Sequence, residues 1–314
     1  MQIKTIKNPK TFSSEMEITI LGTSEATPTA KRSQLAMLLT YKDENILVDC
    51  GEGTQRQFKI ANLNPLKITR ILITHWHGDH VLGLPGLLQT LALNNYNKTL
   101  KVYGPKGTKR FFNLILKIFV FREKIKADVH EIERDGKIIE TKDFYIEAFR
   151  MKHFTPCLAY RFVEKDRRKI KLEFIKKKGI KPGPLLGKLQ QGEAIIFKNK
   201  KITPRQATYI QKGKKVAFII DTLYNENCIK AAKDVDLLIS EATFLEAEHY
   251  DKAKERGHLT AKQAATIAKK AKAKKMLLIH ISQRYAKNPK VIVEEARKVF
   301  KNSEIAEDFT RINL

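Results

Sequence analysis

Apolar and polar residues alternate in two stretches near the start of the chain, MEITILGTS at 16–24 and LAMLLTYKDENILVDCG at 35–51, with the period of two that half-buried strands show. A polar break at 42–45 inside the second stretch predicts a hairpin. The run TRILIT at 69–74 is a short strand ending on a crowd of histidines, and 82–93, after the turn at 78–83, predicts a helix. TLKVYGP at 99–105 returns to strand and 108–119 to helix. Strands recur at 144–153, 158–164 and 215–222, followed by a helix around 227–233, a strand at 236–243, a helix at 260–274 with Thr260 as N-cap, a strand at 275–282 and a last helix at 289–300. Strands and helices interleave irregularly, so the class is α/β or α+β with layered sheets.

Composition narrows the function. In 314 residues, 60 Lys and Arg stand against 34 Asp and Glu, a formal net charge of +26 that favours a polyanionic partner. A hydrophobic share of 42% excludes global disorder. Cys50, Cys157 and Cys228 form no C-x-x-C pair, which argues against a disulfide framework or a Cys-zinc site and makes a reducing, cytoplasmic compartment the simplest expectation. Residues 1–16 lack the apolar core of a secretory signal, and no stretch approaches the roughly 18 uncharged apolar residues of a membrane span, so no membrane partner is expected.

One segment departs from the even spread of charge. Residues 164–201 hold 13 Lys and Arg against 4 Asp and Glu, with Gly179, Pro182, Gly183, Pro184, Gly187 and Gly192 among them. A loop of that length inside a compact domain is uncommon unless functional or disordered. The expectation is a single domain over 1–314 carrying an inserted, flexible, protruding basic arm at 164–201.

The strongest chemical signal is His75-Trp76-His77-Gly78-Asp79-His80 at the end of an apolar strand. A lone histidine on an apolar face is usually packed in the core, but four such groups in six residues would repel and desolvate one another without a cation among them. His75 and His77 can reach one ion, Asp79 and His80 another.

This cluster is the hallmark of the metallo-β-lactamase fold superfamily, and the chain resembles one branch of it, the tRNase Z family of tRNA 3′-processing endonucleases, over about 18–282. LGTSEATPTAKRS resembles the family's N-terminal glycine loop and basic loop, DCGEGTQRQF its second block, and His153, Asp221 and His280 fall where the superfamily places later ligands. The resemblance implies a four-layered αβ/βα sandwich and two zinc ions per subunit, His75, His77 and His153 holding one, Asp79, His80 and His280 the other, with Asp221 bridging. Mn²⁺ suits the same ligands. Asp79 is then the general base. Glu241 in SEATF resembles the family's H-E-A-T element and His258 in GHLTA its H-S-T element, which implies that a Glu241-held His258 faces the scissile phosphate.

The tip KPGPL, with Lys181, Gly183, Pro184 and the nearby Lys188, resembles the family's tRNA-gripping exosite, and Lys31, Arg32 and Arg284 are further candidate RNA contacts. Precursor tRNA rather than DNA is the implied substrate, and a homodimer the implied state. Two other readings stand beside this one: a small-molecule hydrolase of the same fold, such as an arylsulfatase or cyclic-nucleotide phosphodiesterase, and a non-catalytic RNA-binding relative with a decayed metal site. The basic charge weighs against the first and the complete ligand set against the second.

Overall fold

The structure, a computed structural model, describes residues 5–6, 16–120 and 125–314. Most of the N-terminal stretch read above for a signal sequence lies outside the described residues. Two large mixed sheets dominate. The first has eight strands in the order Thr5–Ile6, Arg311–Asn313, Met16–Gly22, Ala36–Tyr41, Glu44–Val48, Arg70–Leu72, Thr99–Pro105, Lys126–Ile132. The second has seven, in the order Ser303–Ile305, Met276–Ile279, Leu237–Glu241, Lys215–Ile219, Cys157–Glu164, Phe144–Met151, Gly136–Glu140. The predicted hairpin is present: Ala36–Tyr41 pairs antiparallel with Glu44–Val48.

The described residues form two compact units, the larger made of those within 1–139, 146–162 and 215–314. Within it the strand period of two sorts side chains between two faces. Leu39, Ile46, Val48 and Leu72 of the first sheet meet Ile146, Tyr160, Phe162 and Phe218 of the second. On its other face the first sheet presents Leu38, Leu47, Ile71 and Val102 to helices Thr54–Ile60, Leu84–Leu93 and Thr108–Ile118, which bury Phe58, Leu87, Leu88 and Phe112. The second presents Ala217, Ile219, Leu238 and Leu278 to helices Glu226–Ala231, Ala261–Lys270 and Lys290–Arg297. Small residues at Ala261, Ala264, Ala265 and Ala268 face that sheet and allow a close approach. Helix, sheet, sheet, helix are the four expected layers.

Several predicted helices are shorter than expected, and two of them show why. Thr260 caps as anticipated, in a reciprocal box with Gln263, but the helix ends at Lys270 because Lys272 takes a left-handed φ of 56°. The helix expected over 82–93 begins at Leu84, with Gly78–Val81 a separate turn. Gly83 between them has a reason to be glycine: a Cβ there would sit 2.1 Å from the Gly51 carbonyl oxygen.

The smaller unit comprises 140–145 and 163–214. Its stem is an antiparallel pair, Arg167–Ile170 with Thr208–Gln211, and helices Leu172–Lys178, Pro184–Gln191 and Pro204–Ala207 follow in sequence between those strands. Ile175, Ile180, Leu189, Ile195, Ile202 and Ala207 are buried together, so the basic segment folds around a small apolar cluster of its own, and that cluster extends past residue 201. No described helix is long and apolar enough to cross a membrane.

Candidate metal centre

The strands deliver the site from their C-terminal ends. Asp49 follows Glu44–Val48, His75 lies beyond Arg70–Leu72, His153 beyond Phe144–Met151 and Asp221 beyond Lys215–Ile219, while Glu241 closes Leu237–Glu241 and His280 follows Met276–Ile279. Asp49, Asp221 and His280 take φ of 56°, 49° and 57°. Left-handed backbone is uncommon for residues with a Cβ and concentrates at functional sites, where the surrounding structure holds it.

Ring nitrogens converge on two centres. His75 Nε2 lies 3.0 Å from His77 Nδ1, and His153 Nε2 lies 3.2 Å from the same atom. Ligands about 2.0 to 2.1 Å from a tetrahedral cation stand roughly 3.3 Å apart. In the second centre, Asp79 Oδ2 is 3.2 Å from His80 Nε2 and 3.4 Å from His280 Nε2. Asp221 serves both, its Oδ2 3.5 Å from His75 Nε2 and 3.4 Å from His80 Nε2, its Oδ1 3.2 Å from His280 Nε2. The donors of His75, His77, His153 and Asp221, and those of Asp79, His80, Asp221 and His280, each fall within 4.8 Å of one another.

A cation fits these donors. Among the described residues, His80 Nε2 and Asp221 Oδ1 are buried side-chain atoms without a hydrogen-bond partner, and burying such atoms unpaired is costly. Burial, then neighbouring imidazoles, hold His75 well below its ordinary pKa, and burial lowers His153 also, so both rings are neutral as ligands must be. Burial opposes charge on His80, but Asp221, Asp49 and Asp79 outweigh it and raise its pKa; the field that attracts a proton there attracts a metal ion too. His77 is exposed and His153 half-buried, so the first centre is open to solvent.

The second ring nitrogens of His75, His80, His153 and His280 are occupied, which sets their tautomers. His80 Nδ1 donates to Asp49 Oδ2 at 2.8 Å, and His153 Nδ1 to the Gly257 carbonyl at 3.1 Å. The Thr74 hydroxyl donates to Asp49 and accepts from His75 Nδ1 at 3.1 Å. The Thr243 hydroxyl does the same between Glu241 and His280 Nδ1, at 2.6 and 2.9 Å. Asp49, Thr74 and Thr243 are thus part of the site although sequence reasoning assigned them no role; Asp49 stands in the DCGEGTQRQF block, which was the available signal. Gly51, in that block, is required by packing, since a Cβ there would lie 2.4 Å from the Asp79 carbonyl oxygen.

His258 is placed by the way a helix stops. Glu246–Arg256 ends at Gly257, φ 74°, with Gly257 N–H bonded to Lys254 O and His258 N–H to Ala253 O, a Schellman ending that turns His258 out of the helix. Its Nδ1 lies 3.0 Å from Glu241 Oε2 and 3.8 Å from Asp221 Oδ1. Burial would lower its pKa, but Glu241 and then Asp221 outweigh burial and raise it to about 9. Glu241 Oε1 accepts from Thr222 N–H at 2.6 Å.

The candidate RNA contacts divide. Lys31 and Arg284 are exposed, Arg284 over the Phe244 ring at 5.8 Å, and Lys181, Gly183, Pro184 and Lys188 are exposed in the smaller unit. Arg32 requires a correction. It is 8% exposed, and its Nη1 donates to Thr23 Oγ1 at 2.7 Å and to the Ala306 carbonyl at 2.8 Å, so it ties the loop after the first long strand to the C-terminal segment instead of facing a phosphate.

Facing mixed sheets with two His/Asp centres at their strand ends define the metallo-β-lactamase superfamily of metal-dependent enzymes. The model of the β-lactamase superfamily domain matches residues 191–281, and that of anti-Pycsar protein Apyc1 matches 16–169. The chain is 40% identical over 300 residues to the ribonuclease Z of Methanothermobacter thermautotrophicus, covering 95% of this chain and 97% of that protein. It is 39% identical over 302 residues to that of Archaeoglobus fulgidus, with the same coverage. The crystal structure of the short form of human tRNase Z aligns with a TM-score of 0.67 at 29% identity, over 94% of this chain and 98% of that one. The chain belongs to the ribonuclease Z family of metal-dependent endoribonucleases.

Proposed function

We propose that this protein removes the 3′ trailer from precursor tRNA as a two-zinc endoribonuclease, cutting after the discriminator nucleotide and leaving a 3′-hydroxyl on the tRNA and a 5′-phosphate on the trailer. The observation that carries this reading is the Glu241-held His258 beside two centres that share Asp221. His75, His77, His153 and Asp221 would hold one Zn²⁺, and Asp79, His80, His280 and Asp221 the other. Bound there, the cations supply Lewis-acid stabilisation of a phosphodiester and acidify a water molecule. Asp79 orients that water and takes its proton. His258, held charged by Glu241, faces the phosphate with the ring nitrogen that Glu241 leaves free and gives its proton to the departing O3′ as the P–O3′ bond breaks and the water oxygen bonds to phosphorus. Mn²⁺ is an alternative occupant. The same reading includes a cytoplasmic homodimer.

A nucleotide-resolution map of cleavage on a transcript bearing a trailer tests the assignment. One cut after the discriminator nucleotide is expected, and a trailer fragment with a 5′-hydroxyl end overturns the chemistry.

The basic unit is proposed as a tRNA grip that acts through phosphates. Because Arg167–Ile170 pairs antiparallel with Thr208–Gln211, a short Gly-Ser turn can replace 171–207 and leave the stem closed. The shortened protein should still hydrolyse a small phosphodiester, while binding tRNA more weakly and with a salt dependence flatter by roughly 0.7 to 0.9 in log-log slope for each lost contact. Equal affinity and slope in both proteins would remove the grip.

A further inference from the structure

Phe154, the residue after His153, is 70% exposed, the most exposed aromatic ring among the described residues. Single exposed apolar side chains are ordinary on a protein surface, and what sets Phe154 apart is its place, next in the chain to a proposed metal ligand. Its surroundings are fixed. Lys152 bridges to Leu223, His153 donates to the Gly257 carbonyl, and Cys157 opens a buried strand. The Phe154 ring leans on His153, centroids 5.7 Å apart at 43°, and it packs so close to Gly257 that a Cβ there would lie 3.0 Å from Phe154 Cε2 and 2.8 Å from His153 Nδ1. The ring is therefore supported on one side and bare on the other.

We infer that Phe154 is a stacking platform for a nucleobase of the RNA, the base of a nucleotide that flanks the phosphate to be cut. This rests on the reading that the neighbouring centre cleaves RNA. His153 Nε2 points into the first centre, so a phosphodiester seated there carries its adjoining bases past the next residue in the chain. An aromatic ring serves any base, since each has a π-face, and it adds binding without reading sequence. Phe154 adds a short-range apolar contact where the charge of +26 supplies only long-range attraction to the backbone.

The test compares Phe154→Ala, Phe154→Leu and Phe154→Trp with the wild type on a trailer-bearing tRNA transcript, on the same transcript made abasic immediately 5′ or 3′ of the cut, and on a small base-free phosphodiester. Phe154→Ala should lower kcat/KM on the intact transcript roughly 5- to 150-fold, the range that single base-aromatic stacks show, with metal content and base-free hydrolysis unchanged. Phe154→Trp should recover the rate and Phe154→Leu should not. At one of the two abasic positions Phe154→Ala should cause no further loss. A Phe154→Leu enzyme equal to wild type, an equal fall on the base-free diester, or losses that multiply at both abasic positions would each overturn the platform. A wild type that leaves the intact transcript uncut overturns the ribonuclease reading, and this inference with it.

Discussion

Asp221→Ala is expected to leave a folded protein that has lost nuclease activity and binds fewer than two metal ions per chain. The carboxylate lies within 3.5 Å of the free nitrogens of His75, His80 and His280, and one of its oxygens has no hydrogen-bond partner. Removing it leaves Asp79 as the one carboxylate of the two centres, beside His80 and His280, and each centre loses a ligand. His75→Ala should do less, since it strips one centre only. Metal content of the purified variant, measured beside turnover with Zn²⁺ or Mn²⁺ added back, checks this. An Asp221→Ala enzyme with near-normal activity and two ions per chain would refute the bridging assignment.

His258→Ala should slow the chemical step by roughly 10² to 10⁴ with both metal ions retained, the range for losing a general acid or a charge stabiliser. The pH dependence carries more information. The imidazolium is the form that donates, so the rate should fall as pH rises through the pKa of His258, raised to about 9 chiefly by Glu241 against the opposing effect of burial. In Glu241→Gln that alkaline limb should move to lower pH. A profile whose alkaline limb is the same in wild type and Glu241→Gln would mean that His258 is not the titrating acid, and loss of zinc from His258→Ala would make it a ligand.

Much of this candidate site was legible in the sequence because its proposed ligands sit where strong local patterns stop. His75 to His80 ends a run of apolar residues, and Asp221 and His280 end strands whose residues are nearly all buried. What could not be read depends on side chains meeting across long separations. Asp49 reaches His80 and Thr243 reaches His280, over 31 and 37 positions, and neither spacing carries a periodic signal. Arg32 sits in a basic loop and reads as a phosphate contact; only the fold brings Thr23 and Ala306 to its guanidinium. The helix Glu246–Arg256 was missed because it buries little besides Ala253, so no apolar stripe marks it, yet its ending places His258. The strand Lys126–Ile132 escaped for the converse reason: it carries a charge at every second or third position and none of its residues is fully buried.

The spread of the two centres along the chain bears on when the protein becomes active. The proposed ligands run from His75 to His280, and His280 follows a strand, Met276–Ile279, held between Leu237–Glu241 and the late strand Ser303–Ile305. During synthesis His75, His77, Asp79 and His80 emerge together on one loop, but the first centre lacks a donor until Asp221 has left the ribosome and the second until His280 has. By this assignment a chain truncated between Asp221 and His280 keeps one complete set of donors at most, and it should be nuclease-silent.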